Sequence, residues 1–221
     1  MIDLHAIVAR LATKRPLFHS EADFQHALAW ELHHELPDAR VRLEYRPFPS
    51  EAVYVDIWVE REGMAMALEL KYLTKKLDVT VGGEAFSLRN QSAEDVNRYL
   101  VLKDIVRIER IVDEVPDARG MAVILTNDAG YWKKSIRDTI DAHFRLHDGR
   151  DLTGTLAWSE KAGTGTTRGI ANPLDISGIY KLAWRDYSIV TPASAGHFRY
   201  LLLEALPQTD LAGGVPQPTG G

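Results

Sequence analysis

The chain has 221 residues, of which 45% are hydrophobic and 26% charged, an ordinary composition for a globular protein with a core that needs no cross-links. It contains zero cysteines, which excludes disulfides, thiolate metal sites and cysteine nucleophiles and fits a reducing compartment. The formal net charge of -5 gives no general attraction to nucleic acid, so any such binding would need a local basic patch.

The first residues predict neither export nor membrane insertion. They include Asp3 and His5 and lack a long apolar core, so we expect no signal peptide. No apolar run approaches the ~20 residues that a membrane-spanning helix needs. We therefore expect a cytoplasmic protein without membrane contact.

The first strong patterns are a helix and three strands. Apolar residues recur at helical spacing through residues 21–36, Ser20 is a suitable amino-terminal cap, and Pro37 ends the pattern. Alternating apolar residues then predict an antiparallel meander with Gly63 at the tip of its second turn. The three strands are expected at residues 41–48, 53–60 and 65–73.

The next patterns predict further elements on both sides of Gly149. A long helix at 92–115 has Ser92 as its expected cap, and its buried face is expected to include Lys103. The other expected elements are a loop or small flap at 74–88, a strand at 120–128 buried on both sides, a helix at 130–147, strands at 152–160 and 179–190 around a Gly/Thr-rich loop at 161–169, and a strand or short helix at 196–206.

The order of these elements predicts one domain over residues 1–206, with a core at about 20–145 and a β-rich carboxyl-terminal extension at 150–206. The Pro- and Gly-rich residues 207–221 have the composition of a disordered tail.

Charged residues interrupt two of the apolar strands. Asp56 lies in the second strand, and Glu69 and Lys71 lie in the third, two residues apart and therefore on one face. The hairpin at Gly63 brings Asp56 near Glu69. Burial of three such charges costs several kcal/mol each without compensation.

A divalent cation would supply that compensation. The Asp56 and Glu69 carboxylates, the carbonyl of Leu70 and water match the oxygen shell that magnesium prefers. Such an ion lowers the pKa of bound water and neutralises charge on a scissile phosphate. Lys71 can orient or help deprotonate the water, or it can steady the phosphoryl charge. The alternative is a solvated hairpin face with only an exposed ion pair.

These residues resemble the signature of the PD-(D/E)XK nuclease superfamily, with Asp56 in "VDIWV" and the E-x-K of "ALELKY" at Glu69 and Lys71. The match covers roughly residues 20–127, and Val55 stands where the family name has proline. The resemblance implies an α/β, restriction-endonuclease-like fold: a mixed central β-sheet flanked by helices, with an αβββαβ core. It also implies Mg²⁺ or Mn²⁺, DNA as substrate, a role in bacterial defence or DNA repair, and a homodimer that cuts both strands.

The resemblance further implies a glutamate from the first helix of the core. Glu21 lies at the helix start, where capping explains it equally well, and Glu31 lies mid-helix beside an apolar stripe. Both remain candidates.

Basic residues near the motif are candidates for binding nucleic-acid phosphates. Lys75 and Lys76 directly follow the motif strand, and Arg98 lies on the long helix. The alternative for all three is a solvated surface with ordinary ion pairs.

Two other functions compete with a nuclease. A nucleic-acid-binding or protein-interaction module could keep the fold without cleaving, which the acidic net charge favours. A small-molecule enzyme could place its site at the Gly/Thr-rich loop near Arg168, in which case Asp56, Glu69 and Lys71 would be dispersed.

Overall fold

The computed structural model describes residues 2–205 and residue 207. Its strands are β1 (Arg40–Tyr45), β2 (Val55–Arg61), β3 (Met64–Leu73), β4 (Leu77–Val81), β5 (Glu84–Leu88), β6 (Ala118–Thr126), β7 (Asp151–Leu156), β8 (Leu174–Lys181), β9 (Arg185–Ile189) and β10 (His197–Ala205). Its α-helices are α1 (Leu4–Lys14), α2 (Glu21–Glu35), α3 (Glu94–Glu114), α4 (Ala129–Trp132) and α5 (Thr164–Thr167), with short 3₁₀ turns at Ala142–Phe144 and Ser194–Gly196.

A six-stranded sheet organises the molecule, in the order β1-β2-β3-β6-β10-β9. Only β3 and β6 pair in parallel within this sheet; the other neighbours are antiparallel. The hairpins β4–β5 and β7–β8 form two separate two-stranded sheets. The fold is therefore a mixed α/β arrangement with a mostly antiparallel sheet flanked by helices, as the sequence predicts at that level.

Helices cover the two faces of the sheet. Apolar residues of α1 and α2 pack with one face of β2, β3 and β6, while α3 and the β7–β8 hairpin enclose a second core on the other face. The amino-terminal cap of α2 is formed as expected, because the Ser20 side chain accepts a hydrogen bond from the Asp23 backbone N–H. An equivalent cap at Asp3 begins α1, a helix that the sequence reading does not include.

The β2–β3 hairpin turns at the expected glycine. Glu62 and Gly63 have φ angles of 52° and 84°, the positive values that a two-residue hairpin turn with matching twist requires. The strand register places Ile57 opposite Leu68, the last pair of the ladder. Asp56 and Glu69 are the next residues away from the turn, so they come opposite each other. The hairpin therefore delivers the two acids of the motif to the same place.

Several predicted elements differ from the structure. Residues 130–147 do not form one helix: only α4 and a 3₁₀ turn are helical, because the side chains of Ser135 and Asp141 bind backbone and side-chain groups nearby and compete with helix formation. Ser92 does not cap α3, which begins at Glu94 after Ala93 with no side-chain cap.

The flap predicted at 74–88 is the β4–β5 hairpin, and the ambiguous segment 196–206 contributes the strand β10. The "extension" adds two strands to the central sheet, so it is part of the same body as the predicted core. The predicted tail lies outside the described residues apart from residue 207. Within the described part of the chain, no helix is both long enough and apolar enough to cross a membrane.

Candidate active site

The strands β2 and β3 separate at the end of the hairpin that lies away from its turn, and acidic side chains fill the opening between them. Ladder pairing ends at Ile57 and Leu68. Beyond it, the backbone N–H of Leu70 donates to Asp56 Oδ2 at 2.5 Å, and the N–H of Tyr72 donates to Glu21 Oε2 at 2.8 Å. The two carboxylates thus replace backbone partners that β2 no longer supplies.

Glu69 and Lys71 face the opposite helix, as strand periodicity predicts. Glu69 Oε1 lies 2.5 Å from Arg107 Nη1, and Lys71 Nζ lies 2.7 Å from Asp104 Oδ2. The amine of Lys71 also lies 3.1 Å from the Leu70 carbonyl, which therefore faces the same opening. Because Asp104 and Arg107 both belong to α3, this helix completes the site.

We call Glu21, Asp56, Glu69, Lys71, Asp104 and Arg107 the charged cluster. It holds four carboxylates against two cations, an excess of two negative charges when all are ionised. The cluster is largely enclosed: the side chain of Glu69 is 3% exposed, and those of Lys71 and Arg107 are 22% and 30% exposed.

Burial and mutual repulsion raise the acid pKa values of the cluster. Burial, and next the Asp104 carboxylate, hold the pKa of Glu69 well above its usual range, although Arg107 opposes them. Burial also raises the pKa of Asp56 and of Glu21, against the hydrogen bonds that each receives from β3. The acids of the cluster therefore resist full ionisation.

The neighbouring carboxylates keep Lys71 charged. Burial acts to lower the pKa of its amine, but Asp104 and Glu21 outweigh burial and raise it. A permanently protonated amine acts as a cation rather than as a base, which bears on the role that the sequence reading leaves open.

Glu31 does not join this site. It lies ten residues beyond Glu21, about 15 Å further along α2. Its carboxylate oxygens lie 2.7 and 2.9 Å from Lys14 Nζ, so an ion pair between α1 and α2 accounts for this buried acid. Of the two glutamates that the sequence leaves open, the geometry selects Glu21.

Arg98 is not available for phosphate. Arg98 is 4% exposed, and its guanidinium donates hydrogen bonds to Asp141, Glu94 and the Gly130 carbonyl. It joins α3 to the segment after β6, which is a structural task. Its predicted contact with a nucleic-acid phosphate would require this buried guanidinium to leave these partners.

The two lysines after the motif strand differ. Lys75 Nζ is paired with Glu94 at 2.9 Å and Asp128 at 3.1 Å, so its charge is already balanced. Lys76 has a 75% exposed side chain and only a distant partner, Asp78 at 3.8 Å. Lys76 is thus the freer of the two predicted phosphate contacts.

Three members of the site environment were missed. The sequence reading places Lys103 on the buried face of α3, but Lys103 is exposed and Asp104 is buried. It also does not pair Arg107 of the same helix with Glu69. The third is Gln25, whose side-chain amide donates to the Asp56 carbonyl at 2.7 Å and fixes that residue. The sequence did contain a signal for Asp104: it is an acidic residue within the apolar stripe of α3, between Leu102 and Ile105.

The arrangement is not a ready-made metal site. Among the described residues, no three His, Cys, Asp or Glu side chains are grouped so that they could hold an ion as they stand. A large cavity of about 610 Å³ lies elsewhere, between α1 and the hairpin end of β2 and β3, and none of the predicted site residues lines it.

Comparison of the chain with protein-family models, with curated proteins and with solved structures found no match to any of them.

Proposed function

We propose that this protein is a metal-dependent phosphodiesterase acting on DNA, built on a restriction-endonuclease-like scaffold. One observation carries the proposal: Asp56, Glu69 and Lys71 meet where β2 and β3 separate, in a cluster with an excess of two negative charges. When all its acids are ionised, the cluster lacks two positive charges, which one divalent cation would supply and which protonation of the acids supplies otherwise.

The donor set suits Mg²⁺ or Mn²⁺. Asp56 and Glu69 would provide carboxylate oxygens, and the Leu70 carbonyl faces the same opening. Glu21, which accepts from Tyr72 two residues further along β3, would be the additional carboxylate. When bound, the ion polarises a phosphoryl oxygen and makes a bound water more acidic. To bind the ion, Glu69 would have to leave Arg107, whose Nη1 lies 2.5 Å from Glu69 Oε1.

The residues of the chain then have separate tasks. Lys71, kept protonated by Asp104, would hold the negative charge that develops on the phosphoryl group. Gln25 fixes the backbone of Asp56, and the N–H of Leu70 orients its carboxylate. Lys76 would bind a phosphate beside the site. A setting in defence or repair and a homodimer follow only from the resemblance.

The test is cleavage of plasmid, linear and single-stranded DNA with Mg²⁺, Mn²⁺ or EDTA. Asp56→Ala and Lys71→Ala should each lower the rate about 100-fold or more, because each removes a group that stabilises the transition state. Asp113→Ala and Lys103→Ala remove the same charges from exposed positions on α3 and should keep wild-type rates. Equal cleavage by wild type and both site variants would assign the activity to a contaminant.

A second candidate is a nucleic-acid-binding or protein-interaction module of the same fold that does not cleave. The pairs Glu69–Arg107 and Lys71–Asp104 favour it, because they satisfy these side chains without an ion. Titration with Ca²⁺ or Mn²⁺ separates the two functions. A cleaving site binds the ion and loses binding in Asp56→Asn, whereas a module shows no ion binding at these residues.

A further inference from the structure

Arg107 connects the two most buried acids of the charged cluster. Its Nη1 lies 2.5 Å from Glu69 Oε1, and its Nη2 lies 3.2 Å from Asp104 Oδ1. A third contact, 3.4 Å from Nη1 to the Tyr54 carbonyl, ties the guanidinium to the loop before β2. With Lys71 engaged by Asp104, Arg107 is the cation that directly contacts Glu69.

A divalent cation and the guanidinium need the same place. Both require Glu69, and two cations that share one buried carboxylate repel each other strongly in a poorly hydrated site. We propose that Arg107 is the internal counter-ion of the metal-free site, and that it leaves Glu69 when a divalent cation binds. This inference rests on the proposed function, because it presumes that Glu69 is a metal ligand.

A phosphate group of the substrate is a suitable new partner for the displaced guanidinium. The Arg107 side chain is 30% exposed, so its guanidinium can reach solvent by a change of side-chain rotamer, without unfolding the helix. A phosphodiester bound at the ion would place its oxygens beside this opening, and the planar fork of arginine binds phosphate oxygens in pairs. Arg107 would thus exchange a carboxylate for a phosphate of the substrate and bind the phosphodiester directly.

The exchange makes metal affinity depend on Arg107. In protein without DNA, breaking the Glu69–Arg107 pair opposes ion binding. Arg107→Gln removes that opposition and one positive charge, so we expect Mn²⁺ to bind about tenfold tighter or more, within the usual range of coupling between two sites. Isothermal titration calorimetry and the electron paramagnetic resonance signal of free Mn²⁺ both measure this without any assay of activity.

Arg110→Gln is the matched control. Arg110 lies on the same helix, one turn further along, and pairs with Glu51 and Glu114 outside the cluster. The substitution makes the same change in charge, so Mn²⁺ affinity should stay within about twofold of wild type if the effect of Arg107 is local.

The outcomes separate this inference from the proposed function. Wild-type binding that is lost in Asp56→Asn, together with unchanged or weaker binding by Arg107→Gln, overturns the role of Arg107 and leaves the nuclease proposal intact. No Mn²⁺ binding by wild type and by Arg107→Gln at millimolar ion overturns both. Tighter binding by Arg107→Gln and Arg110→Gln alike overturns the inference, since it shows a general charge effect.

A measurement on the unchanged protein covers the case in which Arg107→Gln does not fold. The side-chain Nε–H resonance of Arg107 in a ¹H–¹⁵N spectrum, assigned by its loss in Arg107→Lys, should shift on saturation with diamagnetic Mg²⁺. The Arg110 resonance should not move. An Arg107 resonance that stays in place while Mg²⁺ saturates the site overturns the inference.

Discussion

At the residue scale, period-two alternation was enough to bring Asp56, Glu69 and Lys71 together. A hairpin with a fixed turn leaves little freedom for these side chains, so their meeting could be predicted from the chain alone. The partners on α3 could not, because they depend on how that helix is rotated against the sheet. A shift of one residue, about 100° around the axis, exchanged the exposed Lys103 for the buried Asp104.

The raised acid pKa values predict how stability responds to pH. A carboxyl whose pKa is higher in the folded state binds more protons than in the unfolded state, so the free energy of unfolding falls as pH rises between the two values. For Glu69, the most enclosed acid of the cluster, burial and Asp104 raise the pKa to about 8, so this window runs from the usual carboxyl pKa up to about 8. In EDTA, we expect this acid to lower stability progressively between about pH 5 and about pH 8.

The effect of Glu69 is isolated by comparing the free energies of unfolding of wild type and Glu69→Gln, measured with urea at several pH values. The lowered pKa values of His5 and His147 act in the opposite direction near pH 6, but they are common to both proteins and cancel. Within the window, the wild-type free energy of unfolding should fall more steeply, by up to about 1.4 kcal/mol per pH unit. Parallel slopes would mean that Glu69 titrates normally.

At the scale of elements, the contact between α3 and β6 sets the depth of the site. Gly120 lies under the helix, where an added Cβ would come within 1.7 Å of Ile108 Cγ2. The absence of a side chain there lets α3 approach the strand that pairs with β3. The sequence predicted both elements from their patterns, but it gave no indication of this close approach.

Gly120→Ala should therefore destabilise the protein by about 1–3 kcal/mol, because a well-packed core must shift to accept one methyl group. Ile108→Ala removes the clashing atom, so the double variant should lose less stability than the sum of the two single changes. Gly163→Ala is the control, since a Cβ there meets nothing within 4 Å. Chemical unfolding measures all four proteins, and strict additivity would show that the contact is not tight.

The segment after β6 shows where element prediction failed, and why. Residues 130–147 contain apolar residues at helical spacing, yet the burial of Phe144 and Leu146 is achieved by an irregular path. Asp141 binds Arg98 of α3, and this buried long-range pair ties the segment to α3. Tertiary contacts of this kind leave no periodic signal in the sequence.

At the scale of the whole molecule, the division into core and extension was the least predictable feature. Strands β6 and β10 are far apart in sequence but pair along β10 from Arg199 to Ala205. Helix α1, outside the predicted core, supplies Leu4, Ile7 and Leu11 to the main apolar cluster. Strand patterns reveal which segments are strands, but they do not specify their order in a sheet with non-local pairings.

This topology predicts that residues 20–145, the core expected from sequence, cannot fold alone. Without β10, the apolar strand β6 would become an open edge, and Leu201 and Leu203 would leave the core that α3 covers. We expect the fragment to give a collapsed, dye-binding state with poor dispersion in its ¹H–¹⁵N spectrum. Residues 1–207, which keep every described strand, should unfold cooperatively. Cooperative unfolding and a dispersed spectrum for the 20–145 fragment would instead show that the charged cluster rests on a smaller, self-sufficient scaffold.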